Sequence, residues 1–279
     1  MRISEPAFDA YHASVCTVAD LLTDGIADAL GATRIEGRTP RNGYAHARGI
    51  FRGDDHLCDV MHGGHNPLPF LTATGQNTPE VVESLRRLYP EHSVARADAK
   101  YDLDGGPGTW EHVHQVVSGF AEQKRLKSLY IESSGDPRAD EPVKASTFYI
   151  GSHGSRNRSR SYCKGLELLA DGVNLEGTGY TPHTVRHEIQ VRPTSQKKAA
   201  LAVVTPDQLF GACPWSRSLV NDLLGLSTGR LHVGAPKHQN DLDRRLESCL
   251  KMYGRTMLEL LDREGSPEAL GRYLSRCLG

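Results

Sequence analysis

The chain predicts an α+β fold: a curved, largely antiparallel sheet built from two related halves, with helices on one face and a helical C-terminal region. Three observations predict it. Residues 94–104 (VARADAKYDLD), 156–167 (RNRSRSYCKGLE) and 184–192 (TVRHEIQVR) each alternate a packed side with a strongly polar side, as strands do when one face is buried. The middle of the chain runs strand, helix, then four strands, and the N-terminal half has strands followed by a helix, so one α+β arrangement occurs twice. After Pro193 the periodicity becomes helical. An α+β domain over 1–193 is expected, with a helical region over 194–279 packed on it.

Taken in order, residues 1–11 read as irregular. Residues 14–30 read as a helix with Val15, Val18, Leu22, Ile26 and Leu30 on one stripe and Gly31 as its stop. Residues 41–62 read as two or three strands turning at Gly53–Asp55, and 63–76 as a loop running into a short strand. Thr78 as N-cap, Pro79 and Glu80 start a helix over 78–89. The strand at 94–103 follows, and GGPGTW turns the chain into a helix over 110–129. That helix holds His112-Val113-His114. On a strand an HxH pattern is a metal motif, but on a helix the two rings diverge by about 200°, and the helical reading is the stronger. Residues 128–151 give two strands joined by a charged loop, and 170–182 a glycine-rich loop. Short helices are expected at 195–204, 206–211 and 215–225, and longer amphipathic ones at 238–263 and 267–278.

Net charge is −1, from 33 basic and 34 acidic residues, so any nucleic-acid surface must come from local segregation of charge. No stretch approaches the roughly 18 apolar residues of a membrane span. Six cysteines lack CxxC spacing, which argues against a zinc site and for reduced thiols in a cytoplasmic protein.

The polar sides of the three strands carry the chemistry. Arg96, Asp98, Lys100 and Asp102 share one face; so do Arg158, Arg160, Tyr162 and Lys164; so do Arg186, Glu188, Gln190 and Arg192. In one sheet these form a single basic wall containing three carboxylates. A phenol flanked by cations suits a tyrosine that loses its proton beside a phosphate. Carboxylates beside a basic surface are a usual way to hold Mg²⁺ or Mn²⁺ against a phosphate. The plain alternative is a solvated basic strand with one tyrosine on it.

The run TFYIGSHGSRNRSRSYCKGLE resembles the core motif of rolling-circle replication initiators of the Rep_trans type, found in small plasmids and filamentous phages. Their pattern is roughly YLGS-R-S, then RIY-K-x-x-E, then a strand like RVEIQLR. The corresponding pieces here are FYIGSHGSR (148–156), SRSYCKGLE (159–167) and VRHEIQVR (185–192), with an upstream R-x-D-x-x-x-D at Arg96, Asp98 and Asp102. GGHNPLPFLTATGQ (63–76), PWSRSLVNDLLG (214–225) and the helical tail are also similar. Ser161 replaces the family's bulky residue before the tyrosine, and His153 and Gly154 stand where it often has Arg and Lys.

The resemblance implies the same fold and a metal-dependent enzyme that nicks and rejoins a DNA strand at an origin through a covalent 5′-phosphotyrosine. Tyr162 would be the nucleophile, with Arg160 and Lys164 favouring its phenolate and gripping the phosphate. Asp102 and Glu188, with Asp98 or Glu167, would hold Mg²⁺ or Mn²⁺. Arg96, Lys100, Arg156, Arg158, Arg186 and Arg192 would contact DNA. Implied partners are single-stranded or extruded-hairpin origin DNA, a second copy of the chain, and a host helicase or polymerase. Tyr149, on a neighbouring strand, is the candidate for a second tyrosine. Two rival readings stay open: a non-catalytic DNA-binding or regulatory protein of the same fold, and a metal-dependent phosphoesterase that uses water.

Overall fold

Where alternating residues can bury one side, the computed structural model has strands; it describes residues 1–133, 145–232 and 241–278, and the charged loop expected over 134–144 lies outside them. The strands are β1 (Arg2–Ile3), β2 (Ala7–Ser14), β3 (Arg34–Arg38), β4 (His46–Arg52), β5 (Asp55–His62), β6 (Phe70–Thr74), β7 (Ser93–Asp104), β8 (Ser128–Ser133), β9 (Ala145–Ile150), β10 (Asn157–Tyr162) and β11 (Val185–Val191). They form one open 11-stranded sheet in the order β3-β4-β5-β6-β2-β7-β11-β10-β9-β8, with β1 beside β7. All of these pairings are antiparallel.

The two related halves are visible in the path of the chain. β2 leads into α1 (Ala19–Ala29), and β3 to β6 then step back from one edge to β2. β7 leads into α3 (Thr109–Gln123), and β8 to β11 step back from the other edge to β7. β2 and β7 pair in the middle, where the halves meet. Between the halves lies α2 (Thr78–Leu88), and after β10 comes α4 (Lys164–Ala170).

One side of the sheet and the helices share a continuous core that includes Tyr11, Leu22, Leu71, Leu85, Tyr101, Leu103, Val117, Val185 and Ile189. Leu201, Leu209, Phe210, Leu219 and Leu223 belong to that core. They come from the segment with α5 (Pro206–Leu209) and α6 (Pro214–Leu224). The first compact unit therefore runs over Met1–Gly234 and the second over Ala235–Gly279.

The second unit contains α7 (Asp241–Glu264) and α8 (Pro267–Leu278). The Arg263 guanidinium lies 4.8 Å from the centre of the Tyr273 ring and ties these two helices together. Among the described residues, no helix is long and apolar enough to cross a membrane.

Three local expectations change. Residues 1–11 are not irregular, because Ala7–Ser14 forms a central strand. The first helix starts at Ala19 because the chain is still extended before it, with the Val15 N–H bonded to the Pro69 carbonyl at 3.1 Å. The helix expected over 110–129 ends at Gln123, since Arg125 turns left-handed at φ 50° and its N–H bonds the Glu122 carbonyl.

Candidate active site on the polar face of the sheet

β10, β11 and β7 are neighbours, so the three amphipathic stretches do share one wall. Arg160 is opposite Glu188, which is opposite Lys100; Tyr162 is opposite Arg186, which is opposite Asp102. The Tyr162 hydroxyl reaches diagonally to Glu188 and donates to its Oε1 at 2.8 Å. Arg160 grips the same carboxylate with two bonds, Nε to Oε2 at 2.5 Å and Nη2 to Oε1 at 3.1 Å. Its guanidinium also lies 4.5 Å from the centre of the Tyr162 ring. Tyr162 is only 5% exposed, whereas the Arg160 side chain is 39% exposed, so a group approaching from solvent meets Arg160 first.

A fourth acid enters from β2. The pairing of β2 with β7 slips between Phe8 and Ala10, so Asp9 is an extra residue, a β-bulge. Its carbonyl accepts from the Gly75 N–H at 2.7 Å and from the Thr78 hydroxyl at 3.2 Å, which fixes the bulge from the start of α2. Thr78 is thus spent on the bulge and does not cap its own helix. The re-aimed Asp9 carboxylate accepts from Arg186 Nη1 at 2.8 Å and lies 4.0 Å from Arg160. Arg186 completes its set with Asp102, at 2.6 and 3.0 Å, and with the Tyr180 hydroxyl at 2.9 Å.

Burial decides the electrostatics. It pushes the Tyr162 phenol well above the usual tyrosine range; the Glu188 charge adds to this, and Arg186 and Arg160 pull back without winning. The expectation that neighbouring cations favour the phenolate is therefore corrected: Tyr162 is a neutral donor. Burial, then Asp9, push the Glu188 carboxyl up to about 7, against the pull of Arg160. Burial also pushes Asp102 up, but Arg186 and Lys100 more than offset it, and the group sits below its ordinary value.

The other expected residues divide. Lys164 is not on the tyrosine's strand; it opens α4, bonds Glu167 at 2.5 Å, and lies 6.0 Å from the centre of the Tyr162 ring. Arg96 pairs with Asp98, and Lys100 with Asp102 at 3.3 Å. Arg186 is 3% exposed and saturated by acids, so it is internal to the network and not a surface contact for DNA. Lys100 is likewise buried. Arg156 is exposed, and neither it nor Arg158 nor Arg192 makes an ion pair with a described residue. Tyr149 lies under Arg158, whose guanidinium is 3.9 Å from the ring centre.

The residues expected to hold a metal are paired with cations in this arrangement. Asp98, Asp102, Glu188 and Glu167 are each capped by a different cation, and among the described residues no three His, Cys, Asp or Glu side chains converge as ligands would. Alternation along a strand places acids on one face. It does not reveal that an arginine sits directly across from Asp102 and from Glu188.

Two members of the network were not legible. Asp9 is hidden because a bulge breaks the period of two; the only trace is AFDAYHAS, where Phe8, Tyr11 and Ala13 are apolar but out of step. Tyr180 is returned to the wall by the glycine-rich loop, which has no periodicity. That loop can approach because Gly165 has no side chain: a Cβ there would stand 1.9 Å from the Thr181 carbonyl oxygen. On the packed side, Ser161 bonds the buried His187 at 2.8 Å, so a polar pair fills the place of the bulky residue expected before the tyrosine.

No protein-family model matches the chain. No curated protein matches it either. Among solved structures, it is similar to the rolling circle replication initiator protein from Geobacillus stearothermophilus, with a TM-score of 0.53 and 17% identity over 88% of this chain and 91% of that one. At this identity the likeness is one of fold.

Proposed function

We propose, from that fold and the wall it carries, that this chain is a rolling-circle replication initiator that nicks and rejoins a DNA strand through Tyr162. The observation that carries the reading is the 2.8 Å bond from the Tyr162 hydroxyl to a buried carboxylate, Glu188, on a wall rich in arginine. A phosphodiester meeting the wall would exchange places with Glu188 as the partner of Arg160. The Tyr162 oxygen then attacks phosphorus while Glu188 takes the phenolic proton as general base. The bond from phosphorus to the 3′-oxygen breaks, and that oxygen is protonated to a free 3′-hydroxyl. One phosphodiester replaces another, so the reverse reaction rejoins strands.

The test is to incubate the protein with a single-stranded oligonucleotide library, isolate the covalent product on a denaturing gel and digest it. Attachment at Tyr162 is expected. Attachment at Tyr149 or elsewhere removes the assignment. One observation, the 5% exposure of Tyr162, favours the second reading, a non-catalytic DNA-binding protein of the same fold; that reading expects retained DNA and no covalent species.

The base has a pH signature. A carboxyl raised to about 7 is protonated below that pH and cannot accept, so attachment should rise as pH increases through about 7 and then level off. Glu188→Gln should lower the rate by roughly 10²–10⁴-fold and abolish this rise. A Gln variant with the same rise would assign it to another group.

A need for Mg²⁺ or Mn²⁺ is proposed on the sequence resemblance alone, and no step above passes through an ion. EDTA is expected to stop covalent attachment, and either ion to restore it. Attachment that survives EDTA would remove the metal from the proposal.

A further inference from the structure

Next to Tyr162 the wall sinks into a cavity of about 180 Å³, lined in part by Tyr149, His153, Arg158, Arg160, Gln190 and Arg192. We propose that this cavity is a second phosphate subsite, which holds a phosphodiester of the same strand beside the one Tyr162 attacks and so fixes the register of cleavage. The inference rests on the strand-transfer reading for the identity of the strand, but the anion site itself rests on the poorly filled donors of Arg158 and Arg192.

The two acids in the lining are already neutralised, Asp98 by Arg96 and Glu188 by Arg160. Arg158 and Arg192 remain, each without a carboxylate partner among the described residues, so the cavity has an excess of positive charge. The face of the Arg158 guanidinium is covered by Tyr149, with 3.9 Å to the ring centre, which leaves its in-plane N–H donors to be satisfied at the edge. They are poorly satisfied. Arg158 Nε is buried with no hydrogen-bond partner, and Nη1 has only a 3.4 Å contact with His153 Nδ1. Arg192 is similar, with one 3.4 Å bond to the His153 carbonyl from its side chain.

A planar fork of unfilled donors held by an aromatic ring matches the oxygens of a phosphate. The volume agrees, being well below the roughly 300–1,000 Å³ of a site for a whole drug-sized ligand. The positive field also reaches His12 on the same wall, lowered to about 4 by burial first and then by Arg96, Arg41 and Arg192. In this reading Tyr149 is a positioning residue for Arg158 and not a second nucleophile.

The test compares the full chain with Arg158→Gln/Arg192→Gln. Binding of a fluorescent single-stranded 20-mer is followed over a salt series, tripolyphosphate binding by calorimetry, and covalent attachment on gels. The double variant should bind the 20-mer about tenfold or more weakly, with the slope of log affinity against log salt reduced by about 0.7 for each phosphate no longer neutralised. Attachment should then need more DNA while the maximal rate stays closer to wild type.

Unchanged affinity for both the 20-mer and tripolyphosphate overturns the subsite even if Tyr162 still becomes attached. Loss of tripolyphosphate binding alone keeps the anion site but makes free polyphosphate its ligand. Loss of DNA affinity in a protein whose wild type never forms a covalent species keeps the subsite and sinks strand transfer. If the double variant does not fold, Tyr149→Leu, which removes only the ring under Arg158, should give a smaller loss in the same direction, and no loss there overturns the proposal.

Discussion

Tyr162→Phe is expected to lower covalent attachment to DNA by a factor on the order of 10⁴ or more, with DNA binding retained. The substitution removes only the hydroxyl. The ring that Arg160 covers at 4.5 Å stays, as does the Tyr162–Arg186 strand register. Glu188 loses one hydrogen bond but keeps both from Arg160. The cost to stability should therefore be about 0.5–1.5 kcal/mol, too little to unfold a domain, so a lost activity reports chemistry and not collapse. Attachment is read on a denaturing gel and binding by anisotropy on the same preparation. An unchanged rate of attachment would end the case for Tyr162.

Arg186→Met is expected to give the largest loss of stability, about 3–5 kcal/mol. Arg186 joins Asp9 to Asp102, and its removal leaves two largely buried carboxylates with only weaker partners, Arg160 4.0 Å from Asp9 and Lys100 3.3 Å from Asp102. Methionine fills much of the volume, so the loss is electrostatic and not a cavity effect. Urea unfolding measures it, with the exposed Arg156→Met expected to stay within about 0.5 kcal/mol of wild type.

The pH dependence gives an independent check. In the wild type the Asp102 carboxyl is held below its ordinary 3.8, so it contributes stability at neutral pH that is lost as pH falls below about 4. Without Arg186 the buried acids favour their protonated forms, and acidification should recover part of the deficit. A variant as stable as wild type at pH 7 would mean that Arg186 is not what holds Asp9 and Asp102 inside.

How much of this was legible depends on periodicity. A period of two is a local property, and in β7, β10 and β11 it holds without a break from Arg96 to Leu103, from Arg158 to Tyr162 and from Val185 to Val191. The polar side of each strand could therefore be read before any strand was paired; that the three sides form one wall depends on the pairings. The same rule failed at Lys164, two residues past Tyr162, because β10 ends there and α4 begins. It failed at Asp9, because one inserted residue reverses the parity of everything before it. The division into compact units could not be read from the tail, because a helical period says that a segment is amphipathic, not what covers its apolar side. The core took the helices up to Leu224 into the first unit.

What the amino-acid order determined by itself is the inventory: which strands have a polar side, that the sheet is antiparallel in two halves, and that a tyrosine, arginines and acids share one face. The polar sides follow from side-chain direction along an extended chain, which is local; the two antiparallel halves followed from the order of elements and from the resemblance. What only the tertiary structure decided is the state of that inventory. Cross-strand register set an arginine opposite Asp102 and another opposite Glu188, so those carboxylates are spent on guanidinium groups. The bulge brought in Asp9. Burial outweighed the nearby cations and left the Tyr162 phenol protonated against Glu188. Charge and desolvation act through space, and their balance depends on distances between residues far apart in the chain.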